Sequence, residues 1–208
     1  GIRGAEFPTD PKEPLDEAAD DRPGIRYAYK ASLIGSAHQF ELTDKGLSWE
    51  IAGRSGVWDY RDIAAMRLSF RPTSMQSRRF RADIWHRSAG HIRIVSTNWQ
   101  TASLMTPQDD GYRSFIVALH ARMAAAGSTA QLTGGLSSAT YAAALAVVGL
   151  LAAAMVGLFV RAVATGEHVG ALFLVGFSLL FYWQIGGFIR RNRPVVYTFD
   201  QLPKALLP

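Results

Sequence analysis

Between residues 26 and 100 the chain alternates bulky and polar positions with a period of two. RYAYKASLI, QFELTD, GLSWEIAG and SGVWDYRDI are short runs rich in aromatic and aliphatic side chains. Successive side chains on a strand point to opposite faces, so this rhythm predicts half-buried strands. Gly-Ser, Asp-Lys-Gly and Gly-Arg-Ser-Gly separate the runs, as turns require. IAAMRLSF continues the series and stops at Arg71-Pro72. RRFRADIWHRS and HIRIVSTNW then flank Ala89-Gly90, the expected turn of a hairpin. In the first of that pair Phe80, Ala82 and Ile84 share one face. Arg79, Arg81, Asp83 and Arg87 share the other. One side is therefore expected to face a core and the other water or a polar partner.

After Pro107 the period changes. Tyr112, Phe115, Ile116, Leu119 and Met123 fall on one helical stripe, Asp109 and Asp110 are N-cap candidates, and Gly127 suits the C-terminal cap. Several strands and one amphipathic helix predict an α+β domain, a curled antiparallel sheet closed by the helix. Residues 128–140 read as a Gly/Ser/Thr linker. Two apolar runs follow, 141–160 and 171–189, of twenty and nineteen residues with no charged side chain. Each is about the ~20 residues that cross the hydrocarbon layer, and Tyr182 and Trp183 lie near one end, so a transmembrane hairpin is expected.

Charge sets the expected topology. The connector between the runs holds Arg161, Glu167 and His168, whereas Arg190, Arg191 and Arg193 follow the second, with Lys204 beyond. The positive-inside bias places the tail, 190–208, in the cytoplasm, and two spans return the β domain to the same side. The overall charge is +5 across 208 residues, yet residues 1–26 are Pro-rich and acidic, with four basic against seven acidic side chains. The leader, residues 1–25, is expected to be disordered. The tail is too apolar for water and too rich in proline for a long helix, so it should dock on the β domain or on a partner.

Much of the chemistry is excluded early. There is no cysteine, hence no disulfide, thiolate metal site or thiol nucleophile. The five histidines have no metal-ligand spacing, carboxylates are scattered, no serine has a nucleophile-elbow context, and no phosphate loop precedes a helix. No catalytic residue, metal or cofactor is expected. RNA binding lacks a signature, and Trp85 and Trp99 sit inside strands where packing is their expected role.

The order of FELTDKGLSWE, WDYRDIAAMRLSF, paired strands around Ala89-Gly90, and DDGYRSFIVALHARM resembles the bacterial pleckstrin-homology-like domains. The resemblance covers about residues 26–127 and rests on order and rhythm, with the Tyr60-Arg61-Asp62-Ile63 step resembling the point where a hairpin ends. It implies a highly bent antiparallel sheet or barrel with one C-terminal helix. It also implies a non-enzymatic interaction or lipid-facing module, on a multi-pass protein of bacterial inner-membrane type. The eukaryotic phosphoinositide-binding pattern is not convincingly present.

Two clusters carry candidate function. Arg71, Arg78, Arg79 and Arg81 stand in RPTSMQSRRFR, without an acid among them, where they could hold lipid phosphates or form an ordinary solvated loop; Met75 could add shallow insertion. Gly149, Ala153 and Gly157 form a small-residue row suited to helix packing, on the hairpin itself or on another membrane protein. The expected function is an accessory or scaffolding subunit of an inner-membrane complex, with anionic-lipid binding through the arginines as the alternative. The expected partners are anionic lipids and another membrane protein or a second copy.

Overall fold

The computed structural model describes residues 25–73, 78–102 and 104–208. The acidic leader and Met75 lie outside the described residues. The first four strands, β1 (Arg26–Tyr29), β2 (His38–Thr43), β3 (Gly46–Ile51) and β4 (Arg54–Trp58), form an antiparallel meander. The β2–β3 turn is built on Gly46 at φ +145, where a Cβ would stand 2.1 Å from the Trp58 carbonyl oxygen. No other residue fits so close to a neighbouring backbone.

A short turn at Tyr60–Asp62 leads into β5 (Ile63–Phe70), β6 (Phe80–His86) and β7 (His91–Val95), three neighbouring strands of a second sheet. A small hairpin, β8 (Thr97–Trp99) with β9 (Met105–Pro107), precedes α1 (Asp109–Ala125). The stripe on α1 is as expected: Tyr112, Phe115, Ile116, Leu119 and Met123 are fully buried. They meet the inward positions of both sheets, among them Tyr27, Phe40, Leu47, Met66, Leu68, Phe80 and Ile84. Asp109 and Asp110 lie inside the first turn of α1, after Gln108, and neither caps it. They act there on the helix dipole.

Three expectations need correction. Residues 128–140 are not a plain linker, because β10 (Gln131–Gly134) forms within them and pairs in parallel with β5. Leu132 faces the core and supplies the apolar contact that a Gly/Ser/Thr composition concealed. The second sheet is consequently mixed, with order β11-β10-β5-β6-β7, where β11 is Val195–Val196. The described strands form separate sheets and no closed barrel.

α2 (Ser138–Ala164) and α3 (His168–Arg191) are each long and apolar enough to cross a membrane, and nothing in the fold covers their apolar windows. Uncovered apolar helices of this length are unfavourable in water and suited to lipid. The tail docks on its own β domain: Tyr197 and Leu206 are buried in the core, and Phe199, Leu202 and Leu207 pack against it.

One polar pair ties the tail to α1. His120 Nδ1 donates to the Ile116 carbonyl at 2.7 Å, and the Tyr197 hydroxyl donates to Nε2 at 2.7 Å. Burial pushes the His120 pKa down from 6.5 to about 4, against a smaller opposing effect of the Ile116 carbonyl. The folded imidazole is neutral where an unfolded one would be taking up a proton. Its contribution is therefore whole above about pH 6.5 and declines as pH falls towards 4, by roughly 3 kcal/mol in all. Denaturant titrations of the full chain at pH 7 and pH 5 should show a larger loss for the parent than for His120→Gln. Equal losses would remove His120 as the titrating group.

Candidate functional site: a basic sheet face beside the long helices

The outward face of the second sheet is laid out by register. Arg67 on β5, Asp83 on β6 and Arg93 on β7 stand side by side, and the next row is Ser69, Arg81 and Val95. Asp83 is only 2% exposed although it lies on the face opposite the core. Neighbouring side chains fold over it. Arg81 Nε is 2.8 Å from Oδ2, while His91 Nε2 and Arg93 Nε are 2.9 and 3.2 Å from Oδ1. Arg67 Nε reaches Thr133 Oγ1 on β10 at 3.3 Å.

The β5–β6 connection adds two more guanidinium groups. The Arg71 amide donates to the Arg79 carbonyl, and Arg79 Nε returns a bond to the Arg71 carbonyl at 3.0 Å. Desolvation, then the crowding of Arg81, holds both Arg71 and Arg79 below the usual arginine range. Arg71 Nε and the Ser69 hydroxyl are buried with no hydrogen-bond partner among the described residues. Arg81, Arg93 and His91 thus share a single carboxylate, and Arg71 and Arg79 crowd Arg81 with no salt-bridge partner of their own among the described residues. Such crowding disfavours the charged forms, and a bound anion relieves it.

This face lies beside the roots of the long helices. Asn192, fully buried, follows α3 and pairs with the Phe70 backbone: its Oδ1 accepts from the Phe70 amide at 3.0 Å, and its Nδ2 donates to the Phe70 carbonyl at 2.7 Å. On the other strand of the junction, the Gly135 amide donates to Leu68 and the Leu136 amide to Asn192. Gly135 has φ +78, and a Cβ there would stand 2.4 Å from the Asn192 carbonyl oxygen, so the two chain segments touch backbone to backbone. The Arg191 guanidinium covers the Phe70 ring at 4.8 Å, Phe70 packs on Phe80 at 5.2 Å, and Arg78 covers Phe80 at 5.5 Å. The residue after Phe70 is Arg71. The end of β5 is therefore clamped against the end of α3, with the Phe70 and Phe80 rings on the core side of the sheet and the basic face opposite.

No family model, curated protein or solved structure matches the chain.

Of the residues singled out from sequence, Arg71, Arg79 and Arg81 come together, whereas Arg78 is exposed over Phe80, at the edge nearest α3. Arg67, Arg93, Asp83 and Asn192 were not among the residues singled out as a site, although Asp83 was placed on the polar face of its strand. The first three carry a usable signal, because each stands on the polar parity of its strand. Asn192 carries none. The row Gly149, Ala153 and Gly157 is exposed, with open space where a Cβ would lie on either glycine. It faces away from α3, so the hairpin does not pack on itself through that row. Its other reading, docking on another membrane protein, is taken up below. No group of three or more His, Asp or Glu able to hold a metal ion occurs among the described residues.

Proposed function

We propose that the protein is a pleckstrin-homology-like domain on a two-span anchor, with both termini cytoplasmic at a bacterial-type inner membrane. Its arginine edge, Arg71, Arg78, Arg79 and Arg81, contacts anionic lipid head groups. The observation that carries this reading is the Asn192 clamp on Phe70. With α3 in the bilayer, the clamp leaves the β5–β6 edge no way to leave the head-group layer. Each basic residue near an anionic surface contributes about 1 kcal/mol. The topology is supported by the arginines after α3 and by the pairing of β10 with β11, which brings both ends of the hairpin to one sheet.

The chain lacks cysteine, so Thr73→Cys, an exposed position, accepts a single fluorescent donor. Energy transfer to labelled phosphatidylglycerol should exceed transfer to labelled phosphatidylcholine at equal mole fraction in vesicles. The excess should shrink between 0.1 and 1 M salt, as the screening length falls from about 10 to about 3 Å. It should also shrink in Arg78→Ala, whose side chain is exposed. Equal transfer to both lipids at low salt would overturn the proposal.

A second reading, an accessory subunit without catalytic activity, is favoured by the outward row of Gly149, Ala153 and Gly157. Small residues let another membrane helix approach closely. Both readings share the anchor and differ in which surface is occupied.

A further inference from the structure

Two cavities meet at Arg190. The first is an apolar groove of about 680 Å³ between α2 and α3, running past Ala152, Met155, Leu174 and Ile185 to Ile189 and Arg190. The second, of about 510 Å³, lies beyond the end of α3, walled by Arg190, Arg191, Arg193 and Lys204 with Pro194 and Pro203. Among the described residues no carboxylate lines either one. The backbone at Lys204 is held in place because the turn Lys204–Leu206 is pinned by the buried Leu206 side chain. Arg190 Nε bonds back to the Gly186 carbonyl at 3.3 Å, which leaves its terminal nitrogens for another acceptor.

We infer that the joined cavities seat one anionic phospholipid, with an acyl chain in the groove and the phosphate among Arg190, Arg193 and Lys204. The chemistry selects this occupant. The groove offers only one polar side chain besides Arg190 and Tyr182, Ser178, whose hydroxyl is already donated to the Leu174 carbonyl, so water gains little there. An apolar helix from a partner would fill the groove and leave four cations unpaired. A soluble anion would pair with the cations and leave the groove empty. Only an amphiphile with a negative head satisfies both, and guanidinium groups bind phosphate through paired hydrogen bonds. The inference rests on the hairpin lying in the bilayer, and it is independent of any contact by Arg71 to Arg81.

Native mass spectrometry of the full chain, released from nanodiscs of mixed phosphatidylglycerol and phosphatidylcholine, tests it. One phosphatidylglycerol should be retained per chain, at least about tenfold over phosphatidylcholine. Arg190→Gln with Lys204→Gln should abolish that preference, while Arg190→Lys should keep most of it. Gly186→Leu adds a side chain where nothing stands within 4 Å, and it should expel both lipids without disturbing the fold. Arg113→Ala, on the exposed side of α1, should change nothing. The inference is overturned by equal retention of the two lipids, by retention indifferent to Gly186→Leu, by inorganic phosphate binding as tightly as the lipid, or by a groove closed by a second copy. Retention that survives loss of the salt-dependent energy transfer would separate this site from the arginine edge.

Discussion

Phe115→Ala should lower the stability of the full chain by about 3–5 kcal/mol, a large part of the ~5–15 kcal/mol that holds a typical domain together. The ring is fully buried and meets Tyr27 and Phe40 at centroid distances of 6.0 and 6.3 Å, so its loss opens a void between α1 and the first sheet. Arg113→Ala, on the exposed side of the same helix, should melt like the parent. Arg122 would be a poor control, because it lies 3.6 Å from Asp44 and is partly covered. Thermal and denaturant melts of the detergent-solubilised chain decide the matter. A Phe115→Ala protein that melts like the parent would put the packing face of α1 elsewhere.

Asn192→Ala should cost roughly 2–5 kcal/mol at the junction of sheet and hairpin. It removes both partners of the Phe70 backbone in a buried place, and an orphaned buried amide or carbonyl costs about 1–3 kcal/mol. Asn192→Asp keeps an acceptor for the Phe70 amide but sets a buried carboxylate oxygen against the Phe70 and Phe188 carbonyls, so its loss should be at least as large. Hydrogen exchange at Phe70 and at Leu136, whose amide bonds to Asn192, should quicken in the Ala variant before the rest of β6 does. Unchanged exchange at both amides would show that the clamp does not hold the junction.

Local patterns told most of the fold. The α1 stripe was legible because helical spacing repeats across about three turns, and β2, β3, β6 and β7 were legible because alternation and turn residues agreed. β10 and β11 were not. QLTG and VV are too short to carry a period, and β10 takes its place from β5, with Gln131 opposite Ala65, a pairing no local window contains. At the candidate site the arginines were visible as a cluster, but their arrangement was not. Asp83 looked like a surface residue by strand parity. It is buried because long side chains from two strands fold across it, which depends on register. Small residues at Gly149, Ala153 and Gly157 signalled room for close approach, and a repeat along one helix does not say which neighbour uses the room. Asn192, inside an arginine run, read only as charge.

The pairing of β10 with β11 has a consequence for how the protein is made. β10 emerges from the ribosome before the hairpin, and β11, Tyr197 and Leu206 emerge after it, yet all belong to one sheet and one core. The domain cannot be completed until both long helices have been synthesised and their ends brought to the same side. A chain whose second helix fails to return would leave β10 without its neighbour and the core without Tyr197 and Leu206. Completion of the β domain thereby depends on the return of the second long helix, and a chain in which it fails presents the β10 edge unpaired.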